Sequence, residues 1–207
     1  NALGFTGEEG IREGRQGGSN ALAEDFALAS RLDYVGRKGL LAGVSLFTGD
    51  SGQDQFDASA GVTLYDLHAQ YQWRGLELRG LWTHAKIDDA DAINAETGVL
   101  PCPDPTCADS VGEEMEGWYL QAAYDVFSLG EGARGSLSPF FRYESLDTQD
   151  GVPSGFAENP AFARSLWTVG VAWKPIPQVV IKADFQDRKD DAGTGVDQFN
   201  VGLGWIF

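Results

Sequence analysis

Strict alternation of apolar and polar residues at the end of the sequence constrains the fold more than any other feature. Within residues 197–207, every second residue from Phe199 onward is a large apolar one. The positions between them hold Gln, Asn and Gly, with Ile206 as the exception. Because successive side chains of a β-strand point to opposite faces, this stretch predicts an amphipathic strand that ends on the aromatic residue Phe207.

The same two-residue period recurs in eight earlier stretches, so the sequence predicts nine strands in total. The earlier stretches are residues 24–36, 40–48, 62–73, 76–87, 115–126, 137–146, 164–174 and 179–188. Short connections alternate with long polar ones along the chain. Outer-membrane β-barrels have short turns on one side and long loops on the other. The predicted fold class is therefore all-β, a transmembrane antiparallel up-and-down β-barrel in the bacterial outer membrane.

A soluble β-sandwich is the alternative fold with the same period. It would bury the charged faces of these strands in its core, which is costly, and it has no reason to separate short from long connections. A terminal amphipathic strand that closes on Phe is typical of bacterial outer-membrane barrels. A helical membrane protein is excluded, because no apolar run approaches the roughly 20 residues that a membrane-spanning helix needs.

The strand number bears on how much of a barrel this chain holds. Nine is odd, whereas single-chain bacterial barrels have an even number of strands. We therefore expect residues 1–207 to be one barrel domain, the C-terminal portion of a larger barrel, with Asn1 not the natural start and residues 1–20 forming an extracellular loop. Two alternatives remain: a tenth strand in residues 2–5, or a strand missed elsewhere.

One face of the predicted strands carries charged residues at two-residue spacing. Such rows and rings of charge orient polar solutes and select ions in a pore. Salt bridges that stiffen the wall are the alternative role, and most pairs can serve both. The predicted pore-lining residues are Arg31, Asp33, Asp66, His68, Glu77, Arg79, Arg142, Glu144, Arg164, Lys174, Lys182, Asp184 and Arg188.

The opposite face carries aromatic residues that cluster toward strand ends. This distribution is expected of the aromatic girdles at the two membrane interfaces. The predicted membrane-facing aromatic residues are Tyr71, Trp73, Trp82, Trp118, Trp167, Trp173, Trp205 and Phe207.

Acidic residues outnumber basic ones 31 to 15, which gives a net charge of −16. This argues against nucleic acid as a partner, because phosphate binding needs a basic surface. Much of the excess lies in predicted loops, where it could attract cations to the mouth of a pore or bind divalent cations that bridge lipopolysaccharide. Simple solvation of the loops is the alternative. We predict no cofactor, and no metal site beyond such loop-bound cations.

The two cysteines, Cys102 and Cys107, lie in a proline-rich loop. Their spacing and the rigid loop favour a local disulfide in an oxidising compartment. Two free thiols or half of a metal site are the alternatives, although no histidine lies nearby.

Several stretches resemble the C-terminal half of the phosphate-selective porin O/P family of Gram-negative bacteria and its broader porin relatives. They are residues 39–45, 65–71, 75–80, 139–144, 167–171 and 180–184, and the likeness runs through most of residues 23–207. The resemblance implies a passive pore, commonly a homotrimer of 16- to 18-stranded barrels, that uses its C-terminal strand for insertion by the barrel-assembly machinery. Phosphate-selective members carry a ladder of arginines and lysines in the lumen. Here the basic residues are mixed with acidic ones.

The predicted function is passive diffusion of ions and small hydrophilic solutes through an outer-membrane porin, with outer-membrane lipid and lipopolysaccharide around it. A barrel enzyme is one alternative, but the two histidines, His68 and His84, lie in no recognisable nucleophile motif. A structural barrel sleeve is another. It would carry no haem itself, because the sequence has no Cys-x-x-Cys-His motif.

Overall fold

Nine strands form a single antiparallel sheet in the computed structural model, which describes residues 1–18, 21–105, 109–130 and 134–206. Each strand pairs with the next one along the chain, as the up-and-down prediction requires. The strands are β1 (Ala27–Arg37), β2 (Leu40–Gly49), β3 (Val62–Trp73), β4 (Leu76–Ile87), β5 (Glu114–Tyr124), β6 (Ser136–Gly151), β7 (Ala163–Ile176), β8 (Val179–Asp190) and β9 (Gln198–Trp205). The prediction of nine antiparallel strands is confirmed. Within the described residues β1 and β9 are the two edges of the sheet, so the sheet is open rather than closed.

One of the two-residue connections joins β3 to β4 through Arg74 and Gly75. Both residues have positive φ, 46° and 85° respectively. Two left-handed residues in a two-residue loop match the twist of the flanking strands and fix their register. The predicted bounds of β3 and β4 are accordingly reproduced to the residue.

Short helices lie outside the strands, and one of them begins at Val126, which the sequence predicted as the last residue of the fifth strand. In the part of the chain that the structure describes, three are 3₁₀-helices, at Ala2–Gly4, Ile11–Gly14 and Val126–Leu129, and one is an α-helix, α1, at Ala90–Glu96. The alternative of a tenth strand in residues 2–5 is wrong, because that stretch turns into a 3₁₀-helix in which the Asn1 side chain accepts a hydrogen bond from the Leu3 N–H. No helix among the described residues is both long and apolar enough to cross a membrane.

Strand β6 continues five residues past the predicted end at Leu146. Its extension pairs with both neighbours, since Asp147 lies opposite Glu116 of β5 and Ala163 of β7. Residues 147–151 therefore belong to the sheet, and the polar loop predicted for residues 147–162 is shorter than expected.

A small apolar core lies at the end of the sheet that carries the long connections. Ile87 of β4 and Ile93 of α1 are fully buried there. Their neighbours in this loop core come from the N-terminal segment, the long connections and the strand ends. The buried members are Ala2, Phe5, Ala60, Val62, Ala85, Ile87, Ala90, Ile93, Val111 and Met115.

Candidate functional site: the charged face of the sheet

The strand register places all of the predicted pore-lining residues on one face of the sheet. This polar face runs across the sheet from β1 to β9. For example, Arg31 lies opposite Ser45, which lies opposite Asp66. At the other side of the sheet, Asp184 lies opposite Asn200. The residues share a face because antiparallel partners point the same way and the side-chain period is two.

The opposite, apolar face carries the predicted aromatic residues of the described strands. These are Tyr71, Trp73, Trp82, Trp118, Trp167, Trp173 and Trp205. Neighbouring rings meet across strands, for example Tyr143 and Trp167 with centroids 4.3 Å apart. Phe207 lies outside the described residues. Whether the two faces meet water and lipid, respectively, stays a prediction.

Each of the four predicted charge pairs on the polar face is an ion pair. The N–O distances are 2.9 Å for Arg31–Asp33, 2.9 Å for Arg79–Glu77, 2.6 Å for Arg142–Glu144 and 3.3 Å for Lys182–Asp184. Most of these side chains are partly exposed, and exposed pairs contribute about 0–1 kcal/mol each. The pairs therefore stabilise the sheet only slightly, and most of their charged side chains remain partly exposed.

A hydrogen-bonded network crosses three strands on the polar face. His68 Nε2 lies 2.8 Å from Asp33 Oδ1, and His68 Nδ1 lies 2.6 Å from Asp66 Oδ1. Arg31 Nε donates to the same Asp33 carboxylate. A neutral imidazole has one N–H, so two carboxylate partners are satisfied together only when both ring nitrogens carry hydrogen. When His68 carries both hydrogens, the network holds two cationic and two anionic groups in a row.

Gly43 of β2 makes this network possible. Strand β2 lies between β1, which carries Asp33, and β3, which carries His68. A Cβ added there would meet the Asp33 carboxylate, would lie 2.5 Å from His68 Nε2 and would lie 2.8 Å from the Leu32 carbonyl oxygen. The absence of a side chain lets His68 and Asp33 meet over the intervening strand.

A second network lies on β8 and β9. Asp184 is 5% exposed and pairs with Lys182. It also accepts a hydrogen bond of 3.1 Å from Asn200 Nδ2. The Lys182 ammonium lies 4.8 Å from the centroid of the Phe140 ring on β6. Cationic charge at this position is therefore held between a carboxylate and an aromatic face.

Charged groups from several strands surround a concave space of about 510 Å³ near the short turns. Gln72, Glu77 and Arg79 line it on β3 and β4, and Lys174 and Lys182 line it on β7 and β8. The polar face thus carries both signs of charge around a concave space at the short-turn end.

Residues 1–16, the crossing segment, lie across the polar face at the long-loop end. At one end the Ala2 N–H donates to the Ser51 carbonyl at 2.8 Å. Farther along, Thr148 Oγ1 donates to the Gly7 carbonyl at 2.6 Å, and the Arg164 guanidinium donates to the Glu8 carbonyl. The segment therefore spans from the β2–β3 connection to β7.

Charged side chains of the crossing segment point away from its anchors. Glu8, Arg12, Glu13 and Arg15 are exposed. Arg12 pairs with Glu9 at 2.6 Å, and the pKa of Arg12 is raised first by this hydrogen bond and then by the nearby carboxylates. The residue pattern of this segment did not predict its position across the polar face. The closely spaced glycines of the segment were a usable signal for close packing against another part of the chain. Gly10, for example, has a φ of 60° and packs directly on Met115.

The remaining predicted site residues differ in what surrounds them. Arg164 anchors the crossing segment, Arg188 bonds Gln186, and Lys174 lines the concave space. The predicted disulfide stays a prediction, because Cys107 lies outside the described residues.

Comparison with known proteins gives no family assignment. No protein-family model matches the chain. The chain is 27% identical over 216 residues to a protein of Aquifex aeolicus (strain VF5) described only as uncharacterized. The alignment covers 99% of this chain and 48% of that protein. The chain thus spans about half the length of the curated relative it matches.

Proposed function

We propose that this chain forms part of the wall of an outer-membrane porin, a water-filled channel for passive diffusion of ions and small hydrophilic solutes. The exposure of the apolar face carries this proposal. Leu32 on β1 is 73% exposed and Val201 on β9 is 69% exposed. An apolar face of this extent is a binding surface or an aggregation hazard in water. It is the ordinary outer surface of a membrane barrel, whose inner face is polar.

The directions of the two edge strands, β1 and β9, support a barrel that is closed by further strands. Odd-numbered strands run in the same direction in an up-and-down sheet, so β1 and β9 are parallel to each other. Antiparallel closure between them needs an odd number of additional strands. The relative from Aquifex aeolicus is about twice as long, which leaves room for as many strands again. We propose a barrel of 16–18 strands, assembled as a homotrimer and inserted by the barrel-assembly machinery.

In this proposal the crossing segment narrows the pore. It lies over the polar face rather than outside it, held by Thr148 and Arg164. Its carboxylates Glu8 and Glu13 are exposed, and in this proposal they lie at the passage. Fixed negative charge at a mouth raises the local concentration of cations. The channel therefore has a mild preference for cations.

Single-channel recording of the full-length protein in planar lipid bilayers tests the proposal. We expect stable conductance steps, and a reversal potential under a salt gradient that indicates cation preference. The double variant Glu8→Gln/Glu13→Gln should reduce that preference. The matched control is Asp187→Asn, which removes a carboxylate from the apolar face of β8 and should leave the reversal potential unchanged.

Two outcomes would contradict the proposal. A folded full-length protein that gives no conductance would exclude a porin and favour a structural sleeve. Strong anion preference would contradict the role given to the crossing segment while leaving the pore itself intact.

A further inference from the structure

Three potential metal ligands from adjacent strands converge on the apolar face at the long-loop end. They are His84 of β4, Glu116 of β5 and Asp150 of β6. One ligand atom from each lies within 4.8 Å of the other two. His84 and Glu116 are direct partners in the strand register, so the sheet itself holds them together.

An irregularity in the pairing of β5 with β6 brings the third ligand to this face. Glu116 lies opposite Asp147 and Glu114 lies opposite Gly151, so β6 contains two more residues than β5 between these pairs. Strict alternation from Asp147 would place Asp150 on the polar face. The extra residues instead direct its carboxylate to the side of His84 and Glu116. Bulges commonly re-aim a side chain at a functional site.

The charges around these residues favour a cation. Glu116 and Asp147 are like charges directly opposite each other, which is destabilising. Asp147, Asp150 and Asp191 also line a depression of about 360 Å³ beside Glu116. The one basic side chain in that lining is Arg164, whose guanidinium donates to the Glu8 carbonyl.

The imidazole of His84 is positioned by its aromatic neighbours. Its centroid lies 5.4 Å from that of Tyr65 and 6.4 Å from that of Trp82, with the Trp82 ring stacked at 22°. Within the described part of the chain, the three ligand side chains make no hydrogen bond or ion pair with one another or with other groups. The three possible metal-ligating atoms are thus close together and do not bond to one another.

We infer that His84, Glu116 and Asp150 bind a divalent transition-metal ion, with Zn²⁺ as the representative. One imidazole nitrogen and two carboxylate oxygens suit Zn²⁺ better than Mg²⁺ or Ca²⁺, which prefer oxygen ligands alone. Ligands about 2.1 Å from a tetrahedral ion lie about 3.4 Å apart, so the three side chains need only close toward the ion. The bound ion would join β4, β5 and β6 where the bulge interrupts pairing.

Isothermal titration of the full-length, metal-free protein in detergent micelles with Zn²⁺ tests this site. A millimolar excess of Ca²⁺ occupies the acidic loops and limits weak Zn²⁺ binding there. We expect one Zn²⁺ per chain, and at least tenfold weaker binding in His84→Asn and in Glu116→Gln. The controls Asp187→Asn, on the same face, and Glu96→Gln, in α1, should bind as the wild type does.

Co²⁺ gives a second readout that does not depend on heats of binding. The wild-type protein should show visible absorption bands of a low-coordinate nitrogen-containing site, and His84→Asn should lose them. Circular dichroism establishes that each variant is folded. Equal Zn²⁺ affinity in the wild type and His84→Asn would overturn the site, and so would an equal loss in the Asp187→Asn control.

Discussion

The molecule has two apolar regions with opposite exposure. In the loop core, Ile87 and Ile93 are buried by the crossing segment and the long connections. On the apolar face, Leu120 is 60% exposed and Val169 is 57% exposed. The residues are of the same kind, so the difference lies in what covers them. The chain covers its loop core itself, as a soluble protein does, whereas the apolar face needs another apolar phase, which under the proposed function is lipid.

The largest expected effect is in the loop core. Ile93→Ala removes a fully buried side chain that α1 inserts between the strand ends and the N-terminal segment. Loss of such a side chain costs about 2–5 kcal/mol, because transfer free energy is lost and a cavity remains. Urea unfolding of the full-length protein in lipid vesicles measures the change. Leu100→Ala is the control, since Leu100 is 76% exposed in the same connection, and an equal cost in both variants would show that the loop core does not stabilise the fold.

The next largest effect is a difference in unfolding free energy between charges placed on the two faces of β5. Leu120→Arg places a charge on the apolar face of β5, and arginine at the middle of a bilayer costs about 2–4 kcal/mol in a barrel strand. Gln121→Arg places the same charge on the polar face and should be nearly neutral. The free energies of unfolding of the two variants in lipid vesicles measure the difference. Equal costs would mean that the apolar face does not meet lipid.

A smaller effect is expected where the polar face is most closely packed. Gly43→Ala forces a methyl group against Asp33, His68 and the Leu32 carbonyl. Overpacking of this kind typically costs about 1–3 kcal/mol. Gly202→Ala is the matched control, because nothing lies within 4 Å of a Cβ added there on the same face of β9. A neutral Gly43→Ala in the same unfolding measurement would show that the network is loose enough to move aside.

Alternation was sufficient to predict the strands, because it depends on local geometry alone. The i, i+2 ion pairs were predictable for the same reason, since Arg142 and Glu144 share a face whatever lies beside β6. The contact between His68 and Asp33 was not, because it requires the register of three strands and a glycine between them.

The structure of the long-loop end could not be predicted from the sequence, because it depends on contacts between distant segments. The crossing segment has no period, and its anchor at Thr148 lies 141 residues from Gly7. The sequence predicts a polar loop at Asp150, and only the bulge brings this residue beside His84 and Glu116. Along a regular strand, the residue number tells which face of the sheet a side chain points to. A bulge of unknown size makes that assignment impossible for the residues beyond it.

The smallest change in stability is expected for Lys182→Gln. This variant tests whether a charge on the polar face only stabilises the sheet or also acts on permeating ions. Lys182→Gln breaks the ion pair with Asp184, but the lysine is about half exposed and Asp184 keeps its hydrogen bond from Asn200. The cost should therefore stay below about 1 kcal/mol. Permeation should respond more strongly, because the substitution removes positive charge from the polar face. We expect the reversal potential to move toward greater cation preference.

Lys189→Gln provides the comparison for this last variant. Lys189 pairs with Asp187 at 3.2 Å on the apolar face of the same strand, so the two substitutions remove the same charge from similar pairs. Only a charge that faces the passage acts on permeating ions at short range, because salt screens exposed charges beyond about 8–10 Å. A shift in Lys182→Gln alone would assign the polar face of β8 to the passage. Equal shifts in both variants would contradict the division of the sheet into a solute-facing and a lipid-facing side.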